Sequence, residues 1–400
     1  MEFSLDVALL ELQKSCKTKS PANLMISPFG ISVILHMIAN GAAGPTLDEL
    51  LHFLQVEKME DLALEAPKLM EIAKSSSNLE TDDGPVICNF NAVLVSHKRT
   101  LKESHREFLE NMFHAKVKYV DFSGKAASVD KVNEWVNDET KGLIKPLLLR
   151  SAFSNKYLTL IHANGLYFKA SWENEFRPSD TRTEKFHLLG ENVDDSPVVE
   201  VPFMMKYEST YAHASFDDYS VLKMPYKSAH GDCKSGRRFS MAIILPKEKS
   251  GLPKLADKIR ENPHLLSRKH MPNMEYQMIS ILQVPKFTLS YCFQPSDIMK
   301  ELGLTLPFMD FEDNLTSLVE EMPLFVSRIT QRSRVECDEA GTKVLSITDD
   351  SDDDCGFCLD DSPPPPPINF IVDHPFMFVI QEDVSDTIIF LGGIYNPQLV

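Results

Sequence analysis

The fold class of this chain is decided by one stretch, YLTLIHANGLYF, which spans residues 157–168. Nearly every position in it is apolar, without the alternation of polar and apolar residues that marks a strand with one face in water. A strand of this kind is buried on both faces. The stretch therefore predicts a central strand of a covered sheet.

Helices are predicted ahead of this strand. Residues 4–15 carry apolar side chains at helical spacing. Ser27 and Pro28 supply an N-cap and a first-turn proline for a second helix, which Asn40 and Gly41 end. The sequence thus opens with two core-packed helices.

A third helix is predicted to start at Thr46, because Thr46 and Glu49 have the spacing of a capping box. A further helix is predicted at residues 128–139, where Val132 and Val136 share one face. Both helices precede the central strand in the chain.

The second half of the chain is rich in strand-forming segments. Strands are predicted at residues 219–226, 239–245, 281–289, 323–328, 368–372, 376–380 and 387–392. Helices dominate the first third and strands the last half, without strict alternation. This order is typical of an α+β fold and not of a doubly wound parallel sheet.

The composition is that of a globular chain with a large core, since 43% of its 400 residues are hydrophobic. No linker or internal repeat interrupts the chain before residue 349, so we expect a single domain over residues 1–400. The formal net charge of −17 repels phosphate backbones and anionic lipid. We expect a monomer that binds protein, with no nucleic-acid and no membrane partner.

The N-terminal residues lack the basic and apolar regions of a secretory signal. We therefore expect a cytoplasmic or nucleocytosolic protein that is extracellular only by a leaderless route. The cysteines, 7 in number, are mostly scattered, which favours reduced thiols over a disulfide framework.

A series of motifs, in order along nearly the whole chain, resembles the serpin family. The motifs are Asn23, Ser27-Pro28, Gly41-Ala42, Gly44 and Thr46, then Asn133, Trp135-Val136, Thr140 and Gly142, then Asn164 to Lys169 with Trp172, then Val201 to Met205, Phe239 to Met241, Leu245-Pro246, Val284 to Phe287, Leu302-Gly303, Asp373 to Phe376, Phe390 to Gly392 and Pro397. The segment Thr140 to Ile144 is most similar to plant Z-type serpins.

This resemblance implies a serpin fold, with three mixed β-sheets, about eight or nine helices and an exposed reactive-centre loop at residues 341–365. It implies an inhibitor of a serine or cysteine endopeptidase, and not an enzyme. A protease attacks the loop and forms an acyl-enzyme, and the first half of the loop then inserts into the main sheet as a new strand.

The resemblance also places the functional residues of the loop. The hinge would comprise Glu339, Ala340, Gly341, Thr342, Lys343, Val344, Leu345 and Ser346. Counting the family's loop length from Gly341 puts the reactive bond between Cys355 and Gly356. Because the sequence has no Lys or Arg from Val344 to Val400, we expect a protease that is not basic-selective.

The chemistry of this loop conflicts with insertion. An acidic run follows Thr348, and strand alternation puts Asp350 and Asp352 on the same face as Thr342, which the resemblance places inward. No register hides every carboxylate, and a buried charge without a partner costs several kcal/mol. Insertion past Thr348 is therefore predicted to be unfavourable, and a non-inhibitory serpin-fold protein with an acidic substrate or interaction loop stays an alternative.

Other chemistries have weaker support. Cys355 and Cys358 have redox-motif spacing, but they do not stand at a helix start in a βαβ unit, and the neighbouring aspartates raise thiol pKa values. The acidic run has calcium-loop spacing, but Cys355 stands where that turn needs glycine. With no catalytic or phosphate-binding motif, the sequence predicts no metal site and no cofactor.

Overall fold

The structure is a computed structural model that describes residues 2–18, 21–73, 85–122, 126–153, 158–189, 197–228, 237–266, 274–310, 315, 318–319, 324–341 and 367–399. The helices are α1 (Glu2–Cys16), α2 (Pro28–Gly41), α3 (Gly44–Leu54), α4 (Met59–Ile72), α5 (Glu103–Phe113), α6 (Ala126–Glu139), α7 (Leu252–Glu261) and α8 (Ser296–Glu301). The strands are β1 (Leu24–Ile26), β2 (Val86–Ser96), β3 (Lys116–Val120), β4 (Leu160–Lys169), β5 (Arg182–His187), β6 (Val198–Ser215), β7 (Tyr219–Pro225), β8 (Phe239–Pro246), β9 (Glu275–Pro285), β10 (Phe287–Phe293), β11 (Arg328–Cys337), β12 (Ile368–Ile371), β13 (Phe376–Glu382) and β14 (Thr387–Ile394).

The central sheet has five strands in the order β10-β11-β4-β2-β3. Its middle strand, β4, comes from the apolar stretch that opened the sequence analysis, and every residue of it except Lys169 is buried. β4 runs antiparallel to β2 and parallel to β11. The junction of β4 with β11 is called the seam below.

The seam has two covered faces. The side chain of Asn164 on β4 points to α2, because a Cβ on Gly30 of α2 would lie 2.2 Å from Asn164 Oδ1. We call this side the core face. Alternate residues such as Ile161 and Ala163 cluster instead with Val132 of α6 on the outer face. The prediction of a strand buried on both faces is confirmed.

A nine-stranded sheet packs beside the central one, in the order β1-β14-β13-β8-β7-β6-β9-β12, with β5 paired to β6. The long strand β6 joins two wings, since Ala212–Ser215 pair with β7 and the preceding residues pair with β9. The described strands therefore form two hydrogen-bonded sheets, and the larger of them has two wings. The α+β fold class is confirmed, and the described residues contain eight α-helices.

One predicted helix start is wrong. The capping box at Thr46 is absent, because α3 begins at Gly44 and Thr46 is buried inside its first turn. Glu49 instead accepts hydrogen bonds from the amides of Thr305 and Leu306, at 3.1 and 2.8 Å between N and O. The carboxylate therefore holds a distant loop and not its own helix start.

Two predicted strands also need correction. The segment 281–289 is divided at Lys286 between β9 and β10, which belong to different sheets. The strand predicted at 323–328 begins only at Arg328 and runs to Cys337. Its repeated polar residues hid it, because they alternate with buried ones instead of forming an apolar run.

None of the helices in the described ranges is long and apolar enough to cross a membrane. Cys16, Cys88, Cys292 and Cys337 are free, and the other cysteines lie outside the described residues.

Candidate functional site

The seam is open at the end where β11 leads into the predicted hinge. The ladder between β4 and β11 ends at the pair of Tyr167 with Arg334, although both strands continue beyond it. Past Cys337 the chain reverses. The Asp338 amide donates to the Gly341 carbonyl at 2.8 Å, and the Gly341 amide donates to the Asp338 carbonyl at 3.1 Å. The turn thus points the chain back towards the seam.

Gly341 touches both strands of the seam. It forms one antiparallel bridge with Asp338, at the end of β11, and a second one with Ser171, just beyond β4. Its φ of +127° suits only glycine, and a Cβ there would lie 2.3 Å from the Ala170 carbonyl oxygen. Gly341 therefore fills the gap between the strands, and a larger residue would not fit.

Trp172 holds this turn in place. Its backbone amide donates to the Ala340 carbonyl, and its Nε1 donates to the Asp338 carbonyl, both at 2.9 Å. The indole stacks on Tyr226 with ring centroids 4.5 Å apart. These hydrogen bonds to the carbonyls of Asp338 and Ala340 fix the turn to the open end of the seam.

Glu339 anchors the tip of the turn. Its carboxylate accepts hydrogen bonds from Lys286 Nζ and Thr181 Oγ1, each at 2.6 Å. Burial alone would raise the pKa of Glu339, but these two donors outweigh it and lower that pKa. Burial raises the pKa of the neighbouring Cys337 thiol, so this cysteine is a protonated, packed side chain.

The structure brings three of the predicted hinge residues, Glu339, Ala340 and Gly341, into this turn. The other predicted hinge positions (Thr342, Lys343, Val344, Leu345 and Ser346) and the predicted reactive bond at Cys355 and Gly356 lie outside the described residues. Within the described part of the chain, no cluster of side chains could hold a metal ion.

Sequence reasoning missed a row of buried polar groups on the core face of the seam. Both ring nitrogens of His162, Oδ1 of Asn164 and Oγ of Ser333 have no hydrogen-bond partner among the described residues. Burial, with a smaller effect from His105, lowers the pKa of His162 to about 3. The signal in the sequence was a lone histidine within an apolar strand, because a neutral buried imidazole needs a partner.

Comparisons with known proteins agree with this architecture. The family model described as serpin (serine protease inhibitor) matches residues 4–397. The chain is 36% identical over 382 residues to serpin-Z2B of Triticum aestivum, which covers 94% of this chain and 90% of that protein. It is 34% identical over 386 residues to serpin-Z3 of Arabidopsis thaliana, which covers 94% and 92% respectively.

The fold comparison points the same way. The chain superposes on the Arabidopsis serpin AtSerpin1 in its native stressed conformation with a TM-score of 0.82 and 29% sequence identity, over 99% of this chain and 97% of that one. Serpins are in general protease inhibitors and not enzymes. The chain belongs to the serpin family and is similar to its plant Z-type members.

Proposed function

We propose that this protein inhibits a serine or cysteine endopeptidase as a suicide substrate and catalyses no reaction of its own. The target cleaves the loop of residues 341–365, at the predicted bond between Cys355 and Gly356. The segment before that bond then enters the central sheet between β4 and β11. The protein acts as one domain and as a monomer, in the cytoplasmic or nucleocytosolic compartment.

One observation carries the proposal, namely the position of Gly341 between the two strands of the seam. Gly341 pairs in the antiparallel sense with both Ser171 and Asp338. A chain that continues in this direction runs antiparallel to β4 and to β11, because those strands are parallel to each other. Insertion exchanges one parallel interface for two antiparallel ones, and antiparallel pairing is slightly more stable per residue.

The chemistry of trapping follows from this movement. The nucleophile of the protease attacks the carbonyl carbon of Cys355, the peptide bond to Gly356 breaks, and the new amino terminus leaves. The protease stays attached as an ester or thioester. Each inserted residue carries it about 3.4 Å along the sheet. It leaves its original position before water hydrolyses the acyl bond.

The loop composition limits the choice of target. Because no Lys or Arg follows Lys343, a protease that needs a basic residue finds no cleavage site near the predicted reactive bond. The remaining determinants are Asp354, Cys355 and Phe357, which suit proteases directed to aspartate, to small residues or to aromatic residues. The net charge of −17 favours a neutral or basic protease surface over nucleic acid or anionic membrane.

The proposal is tested by incubating the full chain with serine and cysteine endopeptidases of these three specificities, with trypsin as the comparison. We expect a complex that survives SDS with at least one of them. We also expect the thermal midpoint of the protein to rise after cleavage within residues 349–362. Cleavage that gives neither a covalent complex nor a higher midpoint would overturn the proposal.

The alternative is a non-inhibitory serpin whose loop is a substrate or an interaction surface. The acidic run of residues 349–354 favours it, since carboxylates resist burial in a sheet. In that case the loop is cut without a covalent complex, and the thermal midpoint stays where it was. The same experiment therefore separates the two functions.

A further inference from the structure

A cleft of about 360 Å³ lies on the nine-stranded sheet, at the point where β6 parts from β7. The last pair between these two strands is Ala212 with Lys223, and the residues of β6 just before Ala212 pair with β9 alone. β7 continues beside β8 as far as the pair of Pro225 with Ser240. The divergence of β6 from β7 therefore opens the cleft, and its volume is in the range of small-molecule binding sites.

The floor of the cleft is one face of this sheet. A single row across β9, β6, β7 and β8 consists of Tyr276, Ala212, Lys223 and Ala242. These residues share a face, because directly opposed residues of antiparallel strands do so, and all of them line the cleft. The two alanines leave the middle of the row low. Tyr276, which is 80% exposed, therefore presents its ring beside an open space.

The charges on the floor balance one another. Lys223 Nζ lies 2.7 Å from Asp383 Oδ1, and both side chains are mostly buried. Ser240 Oγ donates a further hydrogen bond to Asp383 Oδ1, also at 2.7 Å. Because this ion pair is satisfied internally, it leaves no net charge on the floor for a ligand to neutralise.

Two charged side chains at one end of the cleft form no ion pair within the described ranges. They are Glu173 and Arg238, which are exposed and belong to the lining. Hydrogen bonds place them at the same end. The Glu173 amide donates to the Pro225 carbonyl at 2.9 Å, and the amide of the next residue, Tyr226, donates to the Phe239 carbonyl at 3.0 Å. Arg238 directly precedes Phe239, so a carboxylate and a guanidinium flank this end without pairing with each other.

We propose that the cleft binds a zwitterionic aromatic α-amino acid, with its ammonium group at Glu173, its carboxylate at Arg238 and its aromatic ring against Tyr276. An α-amino acid carries both charges on one carbon, so one small molecule can pair with both groups at the charged end. A simple amine or a simple organic acid leaves one of them unpaired. The ring suits the other end, because aromatic rings stack favourably on one another.

The site goes beyond the proposed inhibition and does not depend on it. Every residue of the cleft named above lies outside the predicted reactive-centre loop. Loss of ligand binding would therefore leave the inhibitory proposal untouched, and loss of inhibition would leave the cleft untouched.

Three ligands that share one phenyl ring test the charge pattern. L-Phenylalanine carries both charges, hydrocinnamate lacks the ammonium group, and phenethylammonium lacks the carboxylate. Their dissociation constants for the full chain are measured at neutral pH by ligand-observed saturation-transfer NMR. We expect L-phenylalanine to bind with a dissociation constant of about 1 mM, and each of the other two to bind about three to ten times more weakly.

Two variants assign the charged groups. In Glu173→Gln the advantage of L-phenylalanine over hydrocinnamate should disappear, whereas its advantage over phenethylammonium should remain. In Arg238→Gln the reverse should hold. The matched controls are Glu248→Gln and Lys254→Gln, which remove the same charges from an exposed ion pair outside the cleft, with 3.1 Å between Lys254 Nζ and Glu248 Oε2. Both controls should keep the order of the three ligands.

A third variant tests the contact of the ring. Tyr276→Ala should weaken the binding of all three ligands by a similar factor, because each of them carries the phenyl group. Met278→Ala is the control, since Met278 is 60% exposed on the same strand but does not line the cleft. Its binding constants should equal those of the unmodified protein.

The result that supports the site is saturable binding of L-phenylalanine with this pattern of losses. Equal affinity for the three ligands, or a ligand order that Glu173→Gln and Arg238→Gln both leave unchanged, would overturn it. Tighter binding of hydrocinnamate than of L-phenylalanine would overturn it as well, because the cleft would then be an anion site. Absence of binding up to the solubility limit of L-phenylalanine would refute the cleft as an amino-acid site.

Discussion

At the scale of single residues, the fit of Gly341 is set by backbone geometry and by space together. A Cβ at this position would meet the Ala170 carbonyl at 2.3 Å and the Trp172 amide nitrogen at 2.6 Å. Both are main-chain atoms of the β4 extension, so neither can swing aside as a side-chain end could. Any side chain at position 341 must move the turn away from the seam.

Gly341→Ala should lower the free energy of unfolding of the intact protein by about 2 kcal/mol or more, from backbone strain and the clash combined. Urea unfolding measures it. The control is Gly44→Ala, because Gly44 also has a positive φ, of +51°, but its Cβ would meet nothing within 4 Å. Equal losses in the two variants would show that the clash at Gly341 is relieved.

Family resemblance was enough to predict Gly341 as a hinge residue, because the Gly341-Thr342 pair is recognisable in the sequence. His162 could not be predicted in the same way. Its significance depends on the register between β4 and β11, which are far apart in sequence, and on the lack of nearby donors or acceptors. Neither property is encoded locally.

At the scale of elements, α3 is tied to the rest of the molecule through Glu49. The carboxylate accepts from two backbone amides of the loop after α8, and also lies 3.3 Å from Thr305 Oγ1. A carboxylate that accepts hydrogen bonds from backbone amides in a partly buried site stabilises the fold more than an exposed carboxylate does.

Glu49→Ala should therefore lower the free energy of unfolding by about 1.5–3 kcal/mol. Glu60→Ala removes an exposed glutamate from the first turn of α4. It should lower the free energy of unfolding by only a few tenths of that amount. Thermal and urea unfolding of both variants provide the comparison. The interpretation fails if the two losses are equal.

The elements differ in how well they could be predicted from the sequence. β4 was predicted because all of its side chains are buried, which leaves an apolar run. β11 was missed because arginines at positions 328, 332 and 334 interrupt it. Lys286 could not be predicted as the boundary between β9 and β10, since strand propensity does not say to which sheet a residue belongs.

At the scale of the whole molecule, buried histidines set the response to acid. Burial lowers the pKa of His36 and His105, the latter to about 4, and it lowers the pKa of His162 to about 3. The unfolded chain binds protons at these positions below about pH 6.5, whereas the folded chain does not. Stability must then fall as the pH drops through this window.

We expect the free energy of unfolding to decrease between about pH 6.5 and 4.5, by up to about 1.4 kcal/mol per pH unit for each such histidine. His105→Gln should flatten this slope, and His52→Gln, at an exposed site on α3, should leave it unchanged. Urea unfolding across the pH range measures the slopes. A slope that is the same in all three proteins would contradict this account.

The double bridge at Gly341 also bears on rates. Adding a strand to a sheet is slow mainly because the first rung must be found against the entropy of a free chain, after which each further rung forms locally. In this structure the bridges of Gly341 to Ser171 and Asp338 already supply the first backbone pairs. The pairing between β4 and β11 stops short of them, at Tyr167 and Arg334. If the loop inserts as proposed, pairing starts from this end, and its rate is then set by how quickly the backbone pairs between β4 and β11 separate and not by a search for the register.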